Sequence, residues 1–139
     1  MVRDSIAAVD AGYSATPQAR KLGVAAGCRL LLDHAPAGWA LADPPPTEPV
    51  ADGANADVVV TFVARLADLS RRVDELAERI RPAGALWIAG PRRAAGHRSD
   101  VTESAIRDEV LPRGLVDVKV AALDHDWSAL KIVWRRENR

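Results

Sequence analysis

The chain has 139 residues, enough for one domain with a buried core. Its 19 basic and 19 acidic side chains cancel, so no global field draws it to nucleic acid or to an anionic membrane. A single cysteine excludes an internal disulfide and an all-cysteine zinc site, and no apolar run approaches the roughly 20 residues of a membrane span. The N-terminus, with Asp4 and Asp10, lacks the charged-then-apolar layout of a signal peptide, so the expected location is cytoplasmic.

Residues 1–13 carry weak apolar spacing at Ile6, Ala7 and Val9 and read as an N-terminal arm. A single α/β domain follows over 14–139. Ser14 to Leu22 reads as a short helix, with Thr16 as its cap, Pro17 at the first helical position and Gly23 at its end. Gly27 then turns the chain into a first strand, Cys28 to Leu32. Cys28 reads as a small buried hydrophobe, because no His or Asn is spaced to activate it. Residues 33–56 are rich in Pro, Ala and Gly. Pro36 to Leu41 suits one helical turn, Pro44 to Pro46 forces extended backbone, and Glu48 to Ala51 suits a short edge strand that tolerates Pro49.

The stretch from Asp57 to Pro91 is the most legible. Val58 to Val63 is a continuous β-branched and aromatic run, which suits a strand buried on both faces. Leu66, Leu69, Val73, Leu76 and Ile80 then share one helical face. The other face offers Asp68–Arg72 and Glu75–Arg79 as i,i+4 pairs. Pro82 and Gly84 stop the helix, and Leu86 to Ala89 forms the next strand. Strand, helix and strand of this length make a right-handed βαβ unit.

Arg92 to Ser99 is a polar loop. Asp100 and Glu103 fit a capping box for a helix with Ile106, Val110 and Leu111 on one face, ending near Pro112 and Gly114. Leu115 to Leu123 reads as a strand whose wetter face carries Asp117 and Lys119. Asp124-His125-Asp126 is a turn, and Trp127 to Trp134 the last strand, antiparallel to its predecessor. The expected fold is α/β: a Rossmann-like three-layer sandwich with a mostly parallel sheet and an antiparallel C-terminal hairpin.

Several segments carry a resemblance: YSATPQARKLGV (13–24), ADVVVTFV (56–63), RPAGALWIAGPRR (81–93), SDVTES (99–104) and LVDVKVAALDHDWSALKIV (115–133). Residues 13–134 resemble a small, mostly actinobacterial family known as domain of unknown function 3052. That resemblance implies a fold and no activity. The order of strand, helix, R-P-A-G-A-L strand, helix and terminal hairpin is also similar to the C-terminal half of class I methyltransferases dependent on S-adenosylmethionine. This second resemblance implies that Asp33 stands at the motif acid and that His34 to Gly38 occupies the glycine-rich cofactor loop. His34 and Pro36 stand where that loop has close-approach glycines, and a Cβ or a Pro ring there obstructs backbone approach to a ligand.

In an open α/β sheet, ligands bind outside the carboxyl ends of the parallel strands. Two candidate sites follow. Asp33, His34 and Gly38 form the cofactor-binding candidate, with S-adenosylmethionine as the implied cofactor. Arg92, Arg93, His97 and Arg98 form an anion-binding candidate beside a helix N-terminus, where a phosphate or carboxylate can be held. No residue is assigned a catalytic role, and the three histidines lack metal-ligand spacing. The tryptophans read as core or interface residues. The functional expectation is a non-catalytic binding or regulatory module on a methyltransferase-like frame. The alternative is an S-adenosylmethionine-binding protein or methyltransferase. The expected partners are a small anionic ligand and, through an open sheet edge anchored by Trp134, a second copy of the chain.

Overall fold

A computed structural model describes residues 17–139. The arm at 1–13, Ser14 and the Thr16 cap lie outside the described residues. A helix α1 (Gln18–Leu22) begins one residue after Pro17 and closes on Gly23 in the left-handed conformation, φ 78°. The strands are β1 (Leu30–Asp33), β2 (Val58–Phe62), β3 (Ala85–Pro91), β4 (Leu115–Ala122) and β5 (Trp127–Trp134). Two longer helices connect them, α2 (Leu66–Arg79) and α3 (Glu103–Val110).

The sheet has five strands in the order β1-β2-β3-β5-β4. The first three are parallel, with Leu30 opposite Val58 and Val60 opposite Trp87. β5 then runs antiparallel to β3, and β4 antiparallel to β5. The uninterrupted apolar run of β2 is buried at every position, because layers cover both of its faces. On one face, Val59, Ile88 and Ile132 meet Leu69, Val73 and Leu76 of α2 and Ile106 of α3. On the other, Val58, Val60 and Trp87 meet α1 through Leu22 and a loop through Leu41. Trp87 is fully buried, and its indole N–H donates to the Leu22 carbonyl at 3.0 Å.

Tertiary contacts override the sequence expectations in several places. The strand expected at Cys28–Leu32 forms as Leu30–Asp33. Pro36–Leu41 makes only a tight turn, with Trp39 N–H donating to the Pro36 carbonyl at 2.9 Å. Glu48 forms a single parallel bridge to Arg29. The two i,i+4 pairs of α2 do not form. Asp68 is instead taken by Arg65 and Arg71. Arg72 turns inward to the Phe62 carbonyl at 3.0 Å, and Arg79 donates to the Ala54 carbonyl at 2.8 Å. In each case the guanidinium reaches a backbone carbonyl outside its own helix, whereas an exposed i,i+4 pair is worth little.

The cap of α3 is Thr102, whose hydroxyl accepts from the Ala105 N–H at 3.1 Å. Asp100 faces the other way and accepts from the Leu66 N–H, at the start of α2, at 2.8 Å. The alternation of β4 is broken by a bulge between Asp117 and Lys119. Val118 is the extra residue there, left without a partner and 53% exposed, and Val120, set opposite Leu130, is 47% exposed. Leu111 falls outside α3 and is exposed. Trp134 is buried, donates to the Ala77 carbonyl at 2.7 Å and lies under Arg81, so it is a core residue and no interface anchor.

Candidate functional site

At the end of β1, Asp33 accepts from the Thr61 hydroxyl at 2.9 Å, and its other neighbour is His34 Nδ1 at 3.0 Å. The Arg72 guanidinium stands 3.9 Å away. The carboxylate is therefore engaged from β2, from α2 and from its own loop. His34 takes a left-handed backbone, φ 56°, which a β-carbon disfavours but His tolerates better than most residues. Gly38 is left-handed as well, φ 78°, and a Cβ there would meet nothing within 4 Å. Its glycine serves the turn rather than a close approach.

The same loop swings Trp39 over the carboxyl end of β2. The Trp39 ring meets Phe62 edge-on at 4.8 Å, and Phe62 meets Trp127 at 5.2 Å. The Trp39 indole N–H donates to Asp124 at 2.9 Å, which ties the loop to the β4–β5 turn. Among the described residues β1 is the outermost full strand on this side of the sheet, with the single bridge at Glu48 beyond it. A cofactor crevice arises where strand order reverses, and the chain steps from β1 out to Glu48 on one side and back to β2 on the other, so strand order turns at β1 through that single bridge. A motif-position acid and a left-handed turn are present, whereas His34 and Pro36 take the positions of the close-approach glycines. As built, these residues do not fit S-adenosylmethionine in the manner of that fold.

The second candidate lies at the carboxyl end of β3, where a cavity of about 490 Å³ opens on the α3 side of the sheet. Gly90 permits it: a Cβ there would sit 2.9 Å from Val101 Cγ1, so only glycine lets the chain entering α3 approach β3 this closely. Arg92, Arg93, Thr102, Glu103, Ser104 and Ser128 supply its polar lining. Ile88, Val101, Ile106, Val120 and Leu130 supply the apolar one. Among the described residues neither Arg92 nor Arg93 joins a salt bridge, whereas Arg29, Arg72, Arg107 and Arg113 each lie against a carboxylate.

Of the four residues expected to form an anion site, Arg92 and Arg93 come together on the cavity wall; His97 and Arg98 do not line it. His97 Nε2 lies 2.9 Å from Asp126 Oδ1, and this hydrogen bond holds the Asp126 carboxyl below its ordinary range. The Arg92 N–H donates to the Asp126 carbonyl at 2.7 Å. The arginine loop is thus pinned to the β4–β5 turn. That turn is closed by Asp124, which accepts from the N–H groups of Asp126 and Trp127 at 2.8 and 2.9 Å. Because Asp100 caps α2 rather than α3, it does not occupy the first N–H groups of α3, and Glu103 and Ser104 of that first turn line the cavity.

Thr102, Ser104, Ser128 and Val120 escape sequence reasoning. Thr102 had a signal, being a good cap next to a helix start. Ser128 and Val120 reach the cavity only through the hairpin register, which places Ser128 opposite Gly90 and Val120 opposite Leu130. Elsewhere, burial pushes the Cys28 thiol up, away from the thiolate form a nucleophile needs. Among the described residues no cluster of His, Cys, Asp and Glu is placed to hold a metal ion. No described helix is long and apolar enough to cross a membrane.

No protein-family model and no curated protein matches the chain, so the likeness to the small actinobacterial family stays a resemblance of segments. Solved structures do match. A protein of the NADB-Rossmann superfamily from Streptococcus agalactiae shares 10% identity, with 86% of this chain covering 68% of that one at a TM-score of 0.52. N,N-8-amino-8-demethyl-D-riboflavin dimethyltransferase from Streptomyces davawensis shares 13% identity, with 84% of this chain covering 44% of that one at 0.49. Magnesium protoporphyrin IX methyltransferase from Synechocystis PCC 6803, solved with S-adenosylmethionine bound, shares 14% identity, with 67% of this chain covering 47% of that one at 0.45. The chain spans about half the length of these methyltransferases. At such identities the likeness is one of fold: a Rossmann-like α/β frame whose structural neighbours include methyltransferases.

Proposed function

We propose that this domain is a non-catalytic binding or regulatory module on a methyltransferase-like frame, and that it holds a small anionic ligand at the carboxyl end of β3. The observation that carries the reading is the cavity itself, with Arg92 and Arg93 on its wall free of carboxylates among the described residues and the start of α3 beside them. Its other polar groups are hydroxyls and Glu103, whose carboxylate already accepts from Arg107 at 3.1 Å. Such a set suits holding a ligand rather than breaking a bond. The arginines do most of the holding, with the helix start adding a smaller favourable field. Binding of a panel of nucleotides and acyl phosphates, measured by calorimetry, is expected for the wild type, to weaken with salt, and to fall at least about tenfold on joint Arg92→Ala and Arg93→Ala substitution. A wild type that binds nothing in the panel, or a double variant that binds equally well, ends this reading.

A second reading, an S-adenosylmethionine-binding protein or methyltransferase, is supported by one observation. His34 holds the left-handed backbone that a glycine of the cofactor loop would take, directly after Asp33. Against it stand His34 and Pro36 at the loop's close-approach positions and Trp39 folded over the end of β2. Affinity for S-adenosylmethionine weaker than about 10 μM, or about −7 kcal/mol, is the expected result; tighter binding would put the second reading first.

A further inference from the structure

The cavity beside Arg92 and Arg93 is larger and more apolar than an inorganic anion requires. Its volume of about 490 Å³ falls among sites that enclose small organic molecules. Ile88, Ile106 and Leu130 on its floor are closed off by packing, at 0%, 4% and 2% exposed. Val120 is not: it lines the same cavity and stays 47% exposed. β4 is the outer strand beside β5, and the bulge after Asp117 sets Val120 opposite Leu130, on the sheet face that carries α3. A valine left wet in a concave wall favours an apolar occupant.

The charged side narrows the choice. Arg92 and Arg93 attract one anionic group, while Glu103 contributes a negative charge to the same lining. A polyphosphate would press several like charges against Glu103 and an apolar floor. A single anionic group on the arginines, with an apolar body across Val120, satisfies both sides at once.

We propose that the cavity takes an amphiphile: an aromatic or branched acyl body bearing one anionic group, either a carboxylate or a phosphate monoester. This rests on the anion-site reading above and adds the body that the anion carries. The anionic group lies on Arg92 and Arg93, and the body lies on Val120.

Calorimetry on the full chain tests it with phenylacetate, phenyl phosphate, neutral 2-phenylethanol, inorganic phosphate and adenosine triphosphate as probes. One of the two phenyl anions binds at least about tenfold more tightly than each of the other three probes, and the tighter of the pair identifies the anionic group. Val120→Thr keeps the shape and β-branching but removes one methyl from the wall. It weakens the phenyl anions at least about threefold and leaves inorganic phosphate unchanged. If inorganic phosphate or adenosine triphosphate binds as tightly as the phenyl anions, or Val120→Thr leaves the phenyl anions unaffected, the anion site stands and the amphiphile falls. If no probe binds, both fall.

Discussion

Trp87 shows how much of the fold one residue can hold. It is the largest fully buried side chain, and it fills the sheet face opposite α2 and α3. Its indole N–H also satisfies the Leu22 carbonyl near the C-terminal end of α1. Trp87→Ala opens a cavity and orphans that carbonyl, so it is expected to destabilise by about 3–5 kcal/mol. A denaturant melt reads this directly, and a loss below about 1 kcal/mol would mean the site collapses around alanine. Lys131 lies on the same face with its amine 6.0 Å from the Trp87 ring. Burial, with Lys119 opposite it, pulls the Lys131 pKa below that of a free lysine.

The helices show how a residue can serve an element other than its own. Asp100 stands two residues before the cap of α3 yet caps α2, and the Ser99 hydroxyl donates to the Ala64 carbonyl at 2.9 Å. The approach to α3 is thereby stitched to the start of α2. Asp100→Ala is expected to cost about 1 kcal/mol and to speed hydrogen exchange at the Leu66 amide while sparing Ala105. Thr102→Ala is expected to cost a similar amount, about 1 kcal/mol, with the pattern reversed. Exchange monitored by NMR separates the two, and faster exchange at the Glu103 amide in the Asp100 variant would restore the capping box.

For the whole molecule, the sheet edges decide what a second copy could do. The β1 edge is covered in part by the Glu48 bridge. The β4 edge exposes Val118, which supports the homodimer we propose, while its bulge and Lys119 blunt strand pairing. Trp134 no longer contributes, being in the core. Sedimentation at high concentration is expected to show a species of twice the chain mass; a single species near 14.9 kDa throughout would remove the dimer.

What the sequence determined by itself was local and periodic. The unbroken run at Val58–Phe62 required a strand covered on both faces, the spacing from Leu66 to Ile80 required an amphipathic helix, and the Asp124–Asp126 turn required a hairpin. Each needs only neighbours in the chain. That Arg92 and Arg93 stand at a cavity mouth was legible because they leave a parallel strand at its carboxyl end. The tertiary structure alone decided which carbonyls Arg72 and Arg79 would find, which helix Asp100 would cap, and where Trp39 would come to rest. It also brought Ser128 and Val120 to the cavity. These choices turn on contacts between residues far apart in the chain, made by side chains long or polar enough to reach more than one partner. Their outcome depends on strand register and on one bulge, which no periodicity in the sequence records.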